Sequence, residues 1–311
     1  MKVYSPIRKK NLYRADPQRH KHNIIIRIIL ILIFFILVFL GISKTYTPEE
    51  DIILKYKKIL EKDPANIEAC ISLGEAYYYK GLEAELKKNE KEAKILFEEC
   101  IKYYQNAINL DEGEKILPQS HYHLGIAYFK LSRYSTNKDY YQQSKYELKK
   151  SLKGKFETPE LHIYLGHIYF KQGLFDDAID EYMKAKTLNP NDVAAWYNLG
   201  WVYKVKGMPN NAIAAFRNAI NTQNLDKALN IKIRTVLGEI YYEQGLIEHA
   251  KDEYKTILKL YRASEIAHYK LGKIYKKQGD LAMAAKEFKS VLEINPNNKQ
   301  AKTELDNLGK R

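Results

Sequence analysis

The chain has 311 residues and a formal net charge of +13, from 51 Lys and Arg against 38 Asp and Glu. Residues 1–27 hold eight of the basic residues and one acid, so the rest of the sequence is only mildly basic, with both charges interspersed. A nucleic-acid-binding surface needs a concentrated basic face, and the composition argues against one. Cys70 and Cys100 have neither a CxxC neighbour nor clustered metal ligands. We expect each to fill a small core position rather than to form a disulfide.

An apolar run near the N-terminus predicts a membrane anchor. Residues 24–42 are apolar except for Arg27, and at about 1.5 Å per residue they nearly span a bilayer core of ~30 Å. Arg27 falls in the first turn, from which its guanidinium can reach the head groups. The run is longer than that of a cleaved signal peptide, and no small-residue cleavage site follows it. We therefore predict an uncleaved transmembrane helix over residues 24–43.

The basic residues before this run predict the topology. The positive-inside rule places residues 1–23 in the cytoplasm, where we expect them to be a disordered tail. The remainder of the chain then lies on the extracytoplasmic side of a cell (inner) membrane that the protein crosses once. The alternative topology places the remainder in the cytosol.

A helix-start pattern follows the apolar run. Thr47 is a predicted N-cap, Pro48 occupies the first helical position, and Glu49 and Glu50 follow in the first turn. This helix should end near Lys62. We expect it to cover one end of the fold as half of the repeat unit that is described next.

The sequence then repeats with a period of 34 residues. Its two regular copies share Leu-Gly-x-x-Tyr followed by Ala-x-x-x-Tyr/Phe: Leu165, Gly166, Tyr169, Ala178 and Tyr182, then Leu199, Gly200, Tyr203, Ala212 and Phe216. This pattern resembles the tetratricopeptide repeat (TPR), a helix–turn–helix unit that stacks on its neighbours. The resemblance implies an all-α fold, a right-handed TPR superhelix (α-solenoid) of about six repeats plus flanking capping helices. We place the solenoid at 47–311, with repeats near 67–112, 118–156, 159–192, 193–226, 231–264 and 265–298, and a capping helix at 299–308.

Two repeats are longer than the period. The first carries 14 extra residues between Tyr77 and Cys100, which predicts a hairpin extended by seven residues per helix, with its tip near 88–91. The alternative is a separate short helix after Gly81. The second carries seven extra residues, which predicts about one extra turn per helix around a turn at 135–137. Such protrusions are either tolerated insertions or a second contact surface.

No catalytic or cofactor-binding constellation is present in the sequence. We find no glycine-rich phosphate loop, no H-E-x-x-H and no G-x-S-x-G. His121, His162 and His268 occupy the same position of their repeats and are interpreted as packing residues. We predict no enzyme activity, no cofactor and no metal site.

The resemblance implies that the first helices of successive repeats line a concave groove. The residues carried over by register are Tyr122, Phe129, His167, Phe170, Tyr197, Asn198, Trp201, Lys204, Lys232, Tyr242, Tyr269, Lys273 and Lys276. We expect an aromatic groove with a basic C-terminal part, suited to a peptide with apolar anchors and some acidic residues. The alternative is that these rings pack on one another and leave no groove. A chaperone-type carboxylate clamp matches poorly, because Ile163, His167 and Val236 replace its polar residues.

These features predict a membrane-anchored TPR scaffold or adaptor that mediates protein–protein interactions on the extracytoplasmic side of a bacterial membrane. The alternative is a periplasmic chaperone or assembly factor that holds exported polypeptides, and a cytosolic co-chaperone is less favoured. The expected partners are protein or peptide ligands and, through residues 24–43, the lipid bilayer. No nucleic acid is expected, and nothing in the sequence indicates homo-oligomerisation.

Overall fold

The computed structural model describes residues 48–111, 117–137, 139–223 and 225–309. The predicted tail (1–23), the predicted transmembrane helix (24–43) and the Thr47 cap lie outside these residues. Across the described ranges, no helix is long and apolar enough to cross a membrane.

The described part of the chain is all-α, with fourteen helices and no strand. It divides after Gly154 into two compact units. The first unit contains α1 (Pro48–Lys62), α2 (Ile67–Leu86), α3 (Glu90–Leu110), α4 (Pro118–Leu131) and α5 (Asp139–Lys153). The second contains α6 (Pro159–Lys171), α7 (Phe175–Leu188), α8 (Val193–Val205), α9 (Pro209–Ile220), α10 (Lys227–Glu243), α11 (Ile247–Leu260), α12 (Glu265–Gln278), α13 (Leu281–Ile294) and α14 (Lys299–Leu308). Within each unit every helix packs on the next one in sequence, as the predicted solenoid requires. The handedness of the superhelix stays a prediction.

Short polar side chains start the first helix of most pairs. Thr158 Oγ1 accepts a hydrogen bond from the Leu161 amide at 3.1 Å, and Asp192 Oδ1 accepts from the amides of Ala194 and Ala195. Asn66, Ser264 and Asn298 cap α2, α12 and α14 in the same way. These caps satisfy amides that have no partner within the helix, so the helix starts are fixed by the local sequence.

The repeat glycine brings the two helices of a pair together. A Cβ added at Gly200 would lie 2.6 Å from the ring of Phe216, and one at Gly166 would lie 2.5 Å from Tyr182. Because real Cβ atoms do not approach so closely, only glycine allows the aromatic ring of the second helix to lie flat on the first. The repeated Gly and aromatic positions of the motif therefore have a packing role.

The extended hairpin of the first repeat is confirmed. α2 and α3 have 20 and 21 residues, against 13 and 14 for α6 and α7, so the insertion adds seven residues to each helix. The turn between α2 and α3 lies at residues 87–89, beside the predicted tip. α2 continues through Gly81 to Leu86. The missing Cβ of Gly81 lets the ring of Phe97 of α3 pack closely there. The alternative short helix is therefore wrong.

The prediction of longer helices in the second repeat is wrong. α4 and α5 have 14 and 15 residues, and most of the insertion forms the connection after Leu131. This connection is held by Glu85 of α2, whose carboxylate accepts hydrogen bonds from Lys130 (2.8 Å), Arg133 (3.0 Å) and Tyr134 (2.6 Å). The long hairpin thus supplies an anchor that favours a docked loop over further helical turns.

The equivalent residues Leu199 and Leu237 of the fourth and fifth repeats are 38 residues apart, four more than the period, and the excess lengthens a helix. α10 has 17 residues because Asp226 caps it one turn before the position at which the other repeats start. α14 begins and ends at the same residues as the predicted capping helix. Cys70 and Cys100 are buried free thiols, as expected for core positions.

Candidate functional site

The first helices of the four pairs in the second unit carry most of the predicted groove residues. We call the surface that α6, α8, α10 and α12 present with these residues the leading-helix face. Tyr122 and Phe129 belong to the first unit. Tyr122 is buried beside His123, with ring centroids 5.0 Å apart, and Phe129 meets Tyr141 edge to face at 5.9 Å. The remaining predicted residues lie in the second unit, which is described by itself.

An aromatic cluster with two lysines lies at the middle of the leading-helix face. The rings of Tyr197 and Trp201 meet edge to face at 6.3 Å, and both contact Phe216. The Lys232 ammonium lies 5.4 Å from the Tyr197 centroid, and that of Lys204 lies 5.2 Å from the Trp201 centroid. Both rings remain partly exposed. These rings pack on one another, as one alternative from the sequence proposed, and they also keep exposed area that a ligand could contact, as the groove alternative requires.

His167 and Phe170 of α6 both pack against aromatic residues of α7, the second helix of the same pair. His167 meets Tyr182 edge to face at 5.8 Å and hydrogen bonds to Asn198 of the next repeat. Burial lowers the pKa of His167, although the Asn198 hydrogen bond raises it, so this side chain is a neutral imidazole near pH 7. Phe170 packs on Phe175, with ring centroids 5.6 Å apart.

Four lysines of the leading helices are paired with two carboxylates. Glu239 lies 2.8 Å from Lys270 and 3.7 Å from Lys204. Glu304 lies 3.5 Å from Lys273 and 2.5 Å from Lys276. Each carboxylate therefore neutralises one of two lysines, and the expected basic part of the groove keeps only part of its charge.

Glu304 is the residue of this face that sequence reasoning missed. It lies on the capping helix, which carries no groove position by motif, but it follows Lys270 by one period of 34 residues. The polar contacts His167–Asn198, Glu239–Lys270 and Lys273–Glu304 each span 31 residues, so they join the same two positions of successive repeats. The capping helix thus continues the side-chain ladder of the repeats, and the 34-residue spacing is the signal that could have found it.

An open cavity of about 330 Å³ lies where α10, α11 and α12 meet. Its lining residues are Glu239, Tyr242, Glu243, Tyr254, Tyr269, Lys270, Lys273 and Ile274. Tyr242 also carries a lysine over its ring, with the Lys277 ammonium 4.8 Å from the centroid. The predicted residues Tyr242, Tyr269 and Lys273 thus share one depression on the leading-helix face.

The three packing histidines are satisfied by glutamates of the paired helix. His121, His162 and His268 lie 2.5, 2.6 and 2.6 Å from Glu147, Glu181 and Glu287 respectively. Arg234 and Glu253 form the same contact in the fifth repeat at 2.7 Å. These pairs are structural, and no group of three metal-ligating side chains occurs among the described residues.

Comparisons with known proteins agree with this architecture. Models of the tetratricopeptide repeat match residues 193–224, 231–264 and 266–298, and a model described as TPR repeat matches residues 166–207. All of these residues lie in the second unit, which therefore carries tetratricopeptide repeats. Such repeats define a protein–protein interaction scaffold, a class that is typically non-catalytic. No curated protein matches the sequence.

Several solved structures are similar to this chain. The chain is 15% identical to pilF of Pseudomonas aeruginosa with a TM-score of 0.51, over 76% of this chain and 97% of that one. It is 18% identical to a chain of the APC/C hetero-tetramer Cut9–Hcn1, with a TM-score of 0.49. This match covers 84% of this chain but only 46% of that one. MamA is 26% identical over 52% of this chain and 93% of its own, with a TM-score of 0.45. At these levels of similarity the pilF likeness supports the fold alone.

Proposed function

We propose that the chain is a scaffold that binds a peptide segment of a partner protein along the leading-helix face of its second unit. The observation that carries this proposal is the cluster of Tyr197 and Trp201 with Lys232 and Lys204 over their rings. Aromatic side chains supply large, rigid contact area at low entropic cost and dominate binding energies at protein interfaces. Lysine ammonium groups at the edge of such a cluster favour acidic residues in the partner.

The internal ion pairs refine which peptide fits. Because Glu239 and Glu304 each hold two lysines, a ligand carboxylate that binds here replaces an existing partner and gains little net charge interaction. The affinity should therefore come mainly from apolar and aromatic anchors at Tyr197 and Trp201. Acidic residues of the peptide add selectivity and association rate.

We further propose that residues 24–43 anchor the protein in a bacterial inner membrane, with residues 1–23 in the cytoplasm and the repeats on the extracytoplasmic side. The support is the apolar run and the excess of basic residues before it. A reporter that is active on only one side of the membrane, fused after Arg311, tests this topology. Activity on the cytoplasmic side would refute it.

Peptide binding is tested by selecting random peptides on the immobilised full-length chain and measuring the affinity of the winners. Trp201→Ala should weaken binding by about tenfold or more, as expected for an interface anchor. The matched control is Trp196→Ala on the same helix, because the Trp196 indole donates to the Pro190 carbonyl at 2.8 Å and lies outside the cluster. Equal effects of the two substitutions, or selection of no peptide, would contradict the proposal.

A further inference from the structure

The long hairpin of the first unit ends in an exposed apolar side chain between lysines. Leu86, the last residue of α2, is 85% exposed, more than any other large apolar side chain among the described residues. Residues 86–91, which we call the hairpin tip, carry Lys87, Lys88 and Lys91 against one acid. A single exposed leucine is ordinary on a protein surface, so the position of the tip decides what this one contacts.

The hairpin tip projects at the end of the unit from which the chain enters it. The Glu50 carboxylate lies 2.9 Å from the Lys80 ammonium, so the start of α1 is level with Lys80 of α2. From Lys80 to Leu86 the helix rises by a further distance of about 9 Å, at about 1.5 Å per residue. The tip therefore extends beyond the start of α1.

The membrane anchor proposed above immediately precedes α1. Only residues 44–47 separate it from Pro48. Because an extended chain covers at most about 3.6 Å per residue, the anchor ends within about 18 Å of Pro48. A bilayer that begins where the anchor ends is close to the end of the unit from which the hairpin tip projects. The turn between α1 and α2 lies at the opposite end of α2.

The charges of the hairpin tip suit anionic head groups. Lys87 pairs with Glu83 at 2.7 Å, and Asn89 Nδ2 donates to Glu92 Oε2 at 2.7 Å, so the nearest acids are engaged by groups of the hairpin itself. Lys88 adopts a positive φ of 57° in the turn and is exposed. Lysines at a membrane surface are attracted to anionic lipids, and an adjacent apolar side chain strengthens such binding.

We propose that the hairpin tip is a second membrane contact. Leu86 enters the boundary between head groups and acyl chains of the anchor's own bilayer, and Lys87, Lys88 and Lys91 lie on anionic head groups. The seven extra residues of each helix supply about 10 Å of reach beyond an ordinary repeat, which gives the first insertion a function. The inference rests on the membrane anchor proposed above.

The test places a fluorophore at the hairpin tip of the full-length chain, reconstituted in vesicles of phosphatidylcholine and phosphatidylglycerol. Because Cys70 and Cys100 are buried, an NBD label attaches selectively to Glu90→Cys at the tip. The reference is the same label on Ala65→Cys, in the exposed turn at the other end of α2. Nitroxide-bearing lipids should quench the tip label strongly and the reference label little, because the ends of α2 are about 30 Å apart.

One substitution and its matched control test the apolar contact. Leu86→Gln should lower the ratio of docked to undocked tip about tenfold, because a leucine leaves the lipid. Leu54→Gln removes another exposed leucine of the first unit, 48% exposed on α1, and should leave the quenching unchanged. Vesicles of phosphatidylcholine alone should also weaken docking, because the lysines lose their anionic partners.

Equal quenching of the labels at residues 90 and 65, or equal effects of Leu86→Gln and Leu54→Gln, overturns the inference. Extraction of the vesicles with alkaline carbonate reports separately on the anchor. A chain that resists extraction but has an unquenched tip would keep the anchor and overturn the tip contact. A chain that is extracted, yet whose tip is quenched at neutral pH, would support the tip contact and overturn the anchor.

Discussion

The imidazole of His162 is held between two carboxylates, with Nδ1 2.6 Å from Glu181 and Nε2 2.8 Å from Glu157. His162 is buried, and Glu181 also pairs with Lys184 at 2.9 Å. Burial alone would lower the pKa of His162, but hydrogen bonds to Glu181 and Glu157 raise it above the ordinary value. The protonated imidazole thus joins α6 to α7 inside the second unit.

This arrangement predicts that the second unit loses stability as the pH rises. A raised histidine pKa in the folded state contributes stability that is complete below the unfolded pKa of about 6.5 and is lost as the pH passes the folded value. The two tryptophans of the chain, Trp196 and Trp201, both lie in this unit, so urea unfolding followed by tryptophan fluorescence reports on it selectively. The urea concentration at the midpoint of unfolding should decrease when the pH is raised from 6 to 8.

Substituting His162 by Gln should flatten this pH dependence. His249→Gln is the matched control, because His249 is exposed and pairs with no carboxylate among the described contacts. The control should keep the slope of the parent chain. An unchanged slope in His162→Gln would show that other groups govern the stability of this unit above neutral pH.

The first unit should respond to pH in the opposite direction. Burial lowers the pKa of His123 to about 4, and its ring stacks on Tyr104 with centroids 5.6 Å apart. A depressed histidine pKa gives stability that is present above about 6.5 and is lost as the pH falls towards the folded value. Both cysteines lie buried in this unit, so their labelling by a disulfide reagent that is active in acid reports its opening. Labelling should accelerate between pH 6.5 and pH 5, and His123→Phe should abolish the acceleration.

The regular repeats could be predicted from sequence because their signals are local. The 34-residue spacing, the glycine beneath an aromatic ring and the capping residues each act within one repeat, so helix bounds such as those of α14 follow closely. The first insertion was also predictable, since 14 residues rich in helix formers divide into two turns for each helix.

The second insertion could not be predicted in this way, because a contact with another repeat decides its conformation. Glu85 binds Arg133 and Tyr134 over almost 50 residues of sequence, and no periodic pattern encodes that pairing. Glu304 is different: it partly neutralises a face that the carried-over register indicated was basic, and its 34-residue spacing from Lys270 could have located it. Helix propensity was sufficient to predict the helices. Long-range ion pairs determine the conformation of the loop after α4 and the net charge of the candidate site.

Replacing the repeat glycine should destabilise the second unit. In Gly200→Ala the new Cβ would lie 2.6 Å from the Phe216 ring, so the two helices must separate or the ring must move, at a cost of about 1–3 kcal/mol for overpacking. Gly309→Ala is the control, because φ there is −75° and the nearest contact of a Cβ is at 3.8 Å. Tryptophan-detected urea unfolding should show the loss for Gly200→Ala alone. Equal stability of the two variants would refute the close-packing role.

Removing the charge of Glu85 should release the loop after α4. Its side chain is 14% exposed and accepts hydrogen bonds from Lys130, Arg133 and Tyr134. Burial would raise the pKa of Glu85, but the bonds from Lys130 and Tyr134 hold it below the ordinary value, so the carboxylate is charged at neutral pH. Glu85→Gln should cost about 1–3 kcal/mol, because the amide has no charge and replaces one of the two acceptor oxygens with an N–H donor that faces other donors.

The control for this prediction is Glu83→Gln on the same helix. Glu83 forms a solvent-exposed pair with Lys87 at 2.7 Å, and such pairs contribute only about 0–1 kcal/mol. Cysteine labelling in urea should separate the two variants, and trypsin should cleave after Arg133 faster in Glu85→Gln only. If both variants protected Arg133 equally, the loop would be held by its own sequence, and the long hairpin would not be its anchor.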